Sequence, residues 1–219
     1  AGTFPDGDPA YATTGAEIAK QMHEYKSPFT LKKVCADRNT WLIGIGSALA
    51  FMAVMSYIAS AIPTMIGYGY APGFATGIFA VGGIMGIIGS FLFGVIDQKM
   101  GTKKAFLIYF VCIIIGFIFT LLMPRGAVFC WLAGIIIFAA QGALCNLLPS
   151  YVATKYGRWD YPSGYRVIGT VFEIGAGVGV MMIGIFQNAA VMYTFDIVTL
   201  VIGFIFMIAS SDKFIGKAG

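Results

Sequence analysis

Charge is what this chain has least of. Asp, Glu, Lys and Arg together make up 11% of its 219 residues, and it has a single histidine, His23. A soluble globular domain carries about 25% charged residues. A chain so poor in charge cannot cover a water-facing surface, so its outside faces lipid. The one histidine lies in a polar leader, which excludes a histidine proton relay in the apolar part of this chain. Metal-ligand spacing is missing too. Cys35, Cys112, Cys130 and Cys145 are scattered and read as small apolar side chains, so neither a metal nor a cofactor is expected. The net charge of +4 is not gathered on one polar segment, so nucleic acid is not an expected partner. The long apolar stretches lack period-two alternation, which argues against membrane strands. No charged-then-apolar signal peptide opens the chain, and a further N-terminal portion is expected before Ala1.

What is present is hydrophobic: 58% of the residues. Six apolar runs are expected to be transmembrane helices, at 41–66, 73–96, 105–123, 127–148, 167–186 and 189–210. Each approaches or exceeds the roughly 20 residues that cross a bilayer core. The fold class is therefore all-α, a polytopic membrane bundle of six transmembrane helices. Residues 1–40 form a cytoplasmic leader, 41–212 the bundle and 213–219 a cytoplasmic tail. In the leader, Thr14 to Glu17 fits a capping box before a short helix, and a second short helix is expected from Thr30. The breaks between runs read as a turn at 67–72, a charged loop at 97–104, a tight turn at 124–126, a polar aromatic loop at 153–165 and a hairpin at Gln187-Asn188. With the leader placed in the cytoplasm, thirteen of the fourteen Lys and Arg residues fall on the inner side, Arg125 being the exception. That asymmetry orients the bundle and puts both termini in the cytoplasm of a cell (plasma or inner) membrane.

Glycine, at 29 residues, is the second abundance. Gly82, Gly86, Ser90 and Gly94 recur every four residues along the second run; Gly169, Thr170, Glu173 and Gly177 share a face of the fifth. Small-residue ridges allow close helix crossings. They serve either as static packing or as sliding surfaces between two moving bundles. Only two ionisable residues lie well inside the runs, Glu173 and Asp196. An intramembrane carboxylate costs roughly 2.5–3.5 kcal/mol on insertion scales and usually faces protein or a water-filled cavity. Gln141 lies at a depth similar to Glu173, and the two could hydrogen-bond. Glu173, Gln141, Tyr57 and Ser60 are the candidate residues of a solute or proton pathway, with Glu173 ranked above Asp196.

The segment GVIDQKMGTKK (94–104) resembles the signature loop of the major facilitator superfamily: Gly94, then Asp97, Gly101 and the basic pair Lys103-Lys104, between the second and third helices of a six-helix half. The stretches LKKVCADRNTWLIGIG (31–46) and NLLPSYVATKYGRWDYPSGYRVIGTVFEIGAGVG (146–179) look like the central loop and the tenth-to-eleventh helix passage of its oxalate/formate antiporter-like and monocarboxylate-porter branches. The resemblance implies the C-terminal half of a twelve-helix carrier, built as two inverted three-helix repeats. It also implies secondary active transport of a small solute by alternating access, a coupling proton, membrane lipid as surroundings, an N-terminal half as partner, and no enzyme activity. Asp97 would then cap a helix of the other half or pair with Arg158, as part of a gating loop. One departure matters. Carboxylate carriers of those branches tend to place a basic residue in the eighth or eleventh helix, and neither matching run has one in its core. A non-catalytic six-helix membrane protein and a channel subunit are the alternative readings.

Overall fold

The computed structural model describes residues 25–215; the capping box at Thr14 and the helix expected after it lie outside that range. The described residues are helical, with no strand. In chain order the elements are α1 (Leu31–Ala36), α2 (Arg38–Gly67), α3 (Pro72–Met100), α4 (Thr102–Leu122), a short 3-10 turn (Met123–Arg125), α5 (Ala127–Ile185) and α6 (Ala189–Ala209). Five of these, α2 to α6, are long and apolar enough to cross a membrane.

Local chemistry sets the boundaries. The Asp37 carboxylate accepts from the backbone N–H of Asn39 and starts α2. Pro72 begins α3, where its missing N–H costs nothing. Asn188 accepts from the N–H groups of Ala190 and Val191 and starts α6. The charged loop expected over 97–104 contracts to one residue: α3 continues to Met100, Gly101 takes φ 86°, and α4 begins at Thr102. Gly can adopt that left-handed φ without the steric cost a Cβ would bring.

The loop expected over 153–165 is also helical, apart from Gly157 at φ 69° and ψ 174°. Gly157 divides α5, 59 residues long, into two limbs. Contacts with α2 show that the chain doubles back there. Thr40 bonds Tyr156, and Tyr57 meets Phe138, so the first limb runs antiparallel to α2. Phe51 stacks on Phe172 while Ala48 and Met52 abut Gly175 and Gly179, so the second limb runs parallel to it.

The core lies between α2, α4, α5 and α6. It is lined by Tyr57, Tyr109, Tyr151, Tyr193, Phe106, Phe110 and Phe117, all fully buried. Helix α3 is mostly outside it and exposes Ile84, Ile87, Phe91 and Leu92. Its small ridge nevertheless packs inward. Gly82 lies on the Phe138 ring, Gly86 against Gly142, and Ser90 bonds Asn146. A methyl group added to Gly142 would overlap the Gly86 carbonyl, so the two backbones are in direct contact. Gly94 meets nothing and lies beyond the crossing.

Candidate functional site

The second limb of α5 carries a cavity of about 570 Å³, bordered by Tyr165, Arg166, Gly169, Thr170, Glu173 and Ile174. The face is polar because Arg166, Thr170 and Glu173 fall one turn apart, at spacings of four and three. Glu173 and Arg166 are both exposed on it. Seven residues separate them, about 10 Å along the axis. The Thr170 hydroxyl donates to the Arg166 carbonyl at 2.6 Å. Gln141, on the first limb, is half-buried, and no hydrogen bond joins it to Glu173. Gly177, one turn further, has open space where a Cβ would stand, whereas Gly169 is covered by the Tyr165 ring.

Tyr57 and Ser60 lie elsewhere, inside the bundle. Tyr57 is fully buried among Phe79, Phe117, Phe138 and Tyr193. Ser60 donates to the Ser56 carbonyl at 2.6 Å and lies 3.0 Å from the Tyr193 hydroxyl. The four candidate pathway residues are therefore not one cluster: Glu173 borders the open cavity, while Tyr57 and Ser60 face α6. Asp196 is fully buried there and accepts from the Ser56 hydroxyl at 2.8 Å.

The loop residues make a third group. The Asp97 carboxylate accepts from the hydroxyls of Thr102 at 2.6 Å and Ser150 at 2.5 Å, and Thr154 lies 3.2 Å from the Thr102 hydroxyl. This acid ties α3, α4 and the first limb of α5 together, and its partners belong to this chain. Lys103 donates to the carbonyls of Ile208 at 2.9 Å and Ser210 at 2.5 Å. Its ammonium therefore satisfies free carbonyls at the C-terminus of α6, where the helix dipole favours a cation. Lys104 is exposed.

A sequence model of the Major Facilitator Superfamily matches residues 4–180. The chain belongs to the major facilitator superfamily. Its long apolar helices thus make it a multi-pass membrane protein of a transporter family, not of an enzyme family. A comparison with curated proteins gave no match.

Within this superfamily chain, three features of the Gly157 end escaped sequence reasoning. Lys155, 2% exposed, pairs with Asp37 at 2.8 Å. Asp160 is fully buried and accepts from the hydroxyls of Tyr25 at 3.0 Å and Ser27 at 2.6 Å. The Ile215 N–H donates to the Lys155 carbonyl at 2.8 Å, so the tail is strapped over the same end. Both ends of the described chain are thereby fastened around the reversal. Charged residues in a stretch without apolar periodicity read as a solvated loop, and only their partners on distant segments reveal them as buried.

Proposed function

We propose that this chain is one half of a twelve-helix secondary carrier that moves a small solute by alternating access. The six-span reading treats the two limbs of α5 as separate crossings, with Gly157 at the cytoplasmic side and both termini inside a plasma or inner membrane. It takes the fold as two inverted three-helix repeats, in which case directions alternate from α2 to α6. The observation that carries the proposal is the open polar face of the second limb. Arg166, Thr170 and Glu173 border a cavity on an otherwise apolar helix and are exposed, with no covering element among the described residues. A second bundle laid over that face would enclose the cavity.

The cavity offers a cation at one end and a carboxylate at the other. Glu173 carries the coupling proton or contacts a cationic part of the solute, and Arg166 holds an anionic part. A zwitterion suits both ends. The branch resemblance to oxalate/formate antiporters and monocarboxylate porters does not carry the substrate class, because the cation of this face among the described residues, Arg166, lies about two turns from Glu173. Asp97 and its basic neighbours brace the loop between α3 and α4 as part of the gate.

Counterflow of labelled amino acids, amines and carboxylates into proteoliposomes distinguishes a carrier from a channel. The chain alone is expected to insert and to catalyse no uptake. Saturable uptake by the purified monomeric chain would overturn the half-carrier reading. Labelling of a single cysteine at position 103 by an impermeant reagent, from outside intact cells, would overturn the orientation.

A further inference from the structure

The acid that sequence reasoning ranked second has the more unusual surroundings. Asp196 lies on α6 with 0% exposure, facing α2. One oxygen, Oδ2, accepts from Ser56; the other, Oδ1, is buried without a partner among the described residues. The Tyr57 hydroxyl, also fully buried, is likewise unpartnered. An ionised carboxylate seeks donors at both oxygens, and this one has a single hydroxyl. Among the described residues no cation pairs with it. Between Trp41 and Gly67, α2 has no charged residue, and between Ala105 and Leu122, α4 has none. The titratable groups facing this region are Tyr193 on α6 itself and Tyr57 on α2, whose ring centroids are 6.4 Å apart, with Cys130 on α5 near Tyr57 and Tyr68 at the end of α2 near Tyr193; α4 presents the Phe117 ring. On α5, Glu173 and Arg166 border the other cavity. A carboxylate so placed in a membrane bundle is costly, and binding a proton removes the charge and turns Oδ1 into a donor.

A route reaches it. A separate cavity of about 340 Å³ opens between the end of α2 and the start of α6, bordered by Ser60, Pro63, Thr64, Gln187 and Met192. From it, hydroxyls run inward: Thr64 lies 3.5 Å from the Tyr193 hydroxyl, and that hydroxyl lies 3.0 Å from Ser60. Ser60, which donates to the Ser56 carbonyl at 2.6 Å, stands four residues, about 6 Å of rise, from Ser56, a step that bridging water can span. Ser56 then donates to Asp196.

We propose that Asp196 is a proton-binding site of this half, loaded from the cavity between α2 and α6 along Thr64, Tyr193, Ser60 and Ser56. The proton comes from water in that cavity and returns to it; nothing else is transferred. The site goes beyond the Glu173 cavity and does not depend on it.

Infrared difference spectra of the full chain in liposomes test this without any transport assay. A protonated-carboxyl band is expected that disappears on raising the pH, shifts promptly in heavy water, is lost in Asp196→Asn and persists in Glu173→Gln. Ser56→Ala removes the one donor to the carboxylate, so it is expected to move the titration midpoint upward by roughly one pH unit. That variant keeps the test decisive where Asp196→Asn fails to fold. Tyr193→Phe is expected to slow the isotope shift several-fold. A band lost in Glu173→Gln, a band that neither titrates nor exchanges, or a midpoint unmoved in Ser56→Ala would overturn the site. An exchange rate unchanged in Tyr193→Phe would overturn the route.

Discussion

One face of the second limb of α5 is packed and the other is open, though both are built from the same glycine-rich stretch. Gly175 and Gly179 lie directly on the carbonyl groups of Ala48 and Met52 in α2, and Phe172 stacks on Phe51. Nearly half a turn away, Thr170, Glu173 and Gly177 are exposed, and nothing stands within 4 Å of a Cβ built on Gly177. In lipid, helix association depends on van der Waals fit and hydrogen bonds rather than on expulsion of water. The packed face therefore holds the bundle together, and the open face is free to carry polar groups that a stable core would exclude. The difference separates residues packed against other described residues from residues that stand open.

The sharpest way to break that comparison is to enlarge a glycine on each face. Gly175→Leu has to displace the Ala48 backbone, which is not free to move, and is expected to destabilise the bundle by about 1–3 kcal/mol. Gly177→Leu projects into open space and is expected to stay within about 0.5 kcal/mol. Thermal unfolding of the two variants in one detergent checks this; equal midpoints would erase the distinction between the faces.

Two further substitutions ask whether the loop residues belong with the packed face. Asp97→Asn keeps the side-chain size but cannot accept from both Thr102 and Ser150, so one hydroxyl loses its acceptor. The expected loss is about 1 kcal/mol, already measurable in the chain by itself. Were Asp97 bound only to another bundle, the isolated chain would not notice the change. Lys103→Met removes the cation from the C-terminus of α6. It is expected to cost about 0.3–1 kcal/mol and to increase hydrogen exchange in the last turn of that helix. Unchanged exchange there would mean that the cap contributes nothing.

How much of this could be read from sequence follows the same divide. The apolar runs located α2, α3, α4 and α6 to within a few residues, because continuous hydrophobicity needs no knowledge of partners. The turn at Pro124 and the start at Asn188 were legible from local chemistry. The stretch 153–165 was not. Its polar and aromatic residues have no helical periodicity, because they pack against the leader and tail instead of one neighbouring helix. A four-residue glycine ridge was visible along α3, but spacing carries no information about what lies opposite, and Phe138 and Gly142 supplied the partners. In the same way, the sequence ranked Glu173 above Asp196 but carried no information about their surroundings; the fold leaves Glu173 open on a cavity and buries Asp196 against Ser56.

The smallest expected effect on stability is the most informative about function. Glu173→Gln changes an exposed group with no hydrogen bond to another helix among the described residues, so unfolding of the chain is expected to shift by less than about 0.5 kcal/mol. Glutamine keeps the length and can still accept and donate, but it cannot release a proton or hold a charge. If Glu173 served mainly to join helices, as it would through a bond to Gln141, the substitution would register in stability and leave transport intact. If it serves the solute or the proton, the reverse holds. In the assembled carrier, accumulation against a gradient is expected to fail while energy-independent exchange survives, since exchange requires binding but no net proton movement. Arg166→Gln, at the other end of the cavity, is expected to weaken solute binding instead, raising the concentration for half-maximal exchange at least tenfold through loss of a charged hydrogen bond worth about 1.5–3 kcal/mol. Normal pH-driven accumulation in a well-folded Glu173→Gln carrier would remove that acid from the coupling step. The open face would then have to be explained by Arg166 and Thr170 alone.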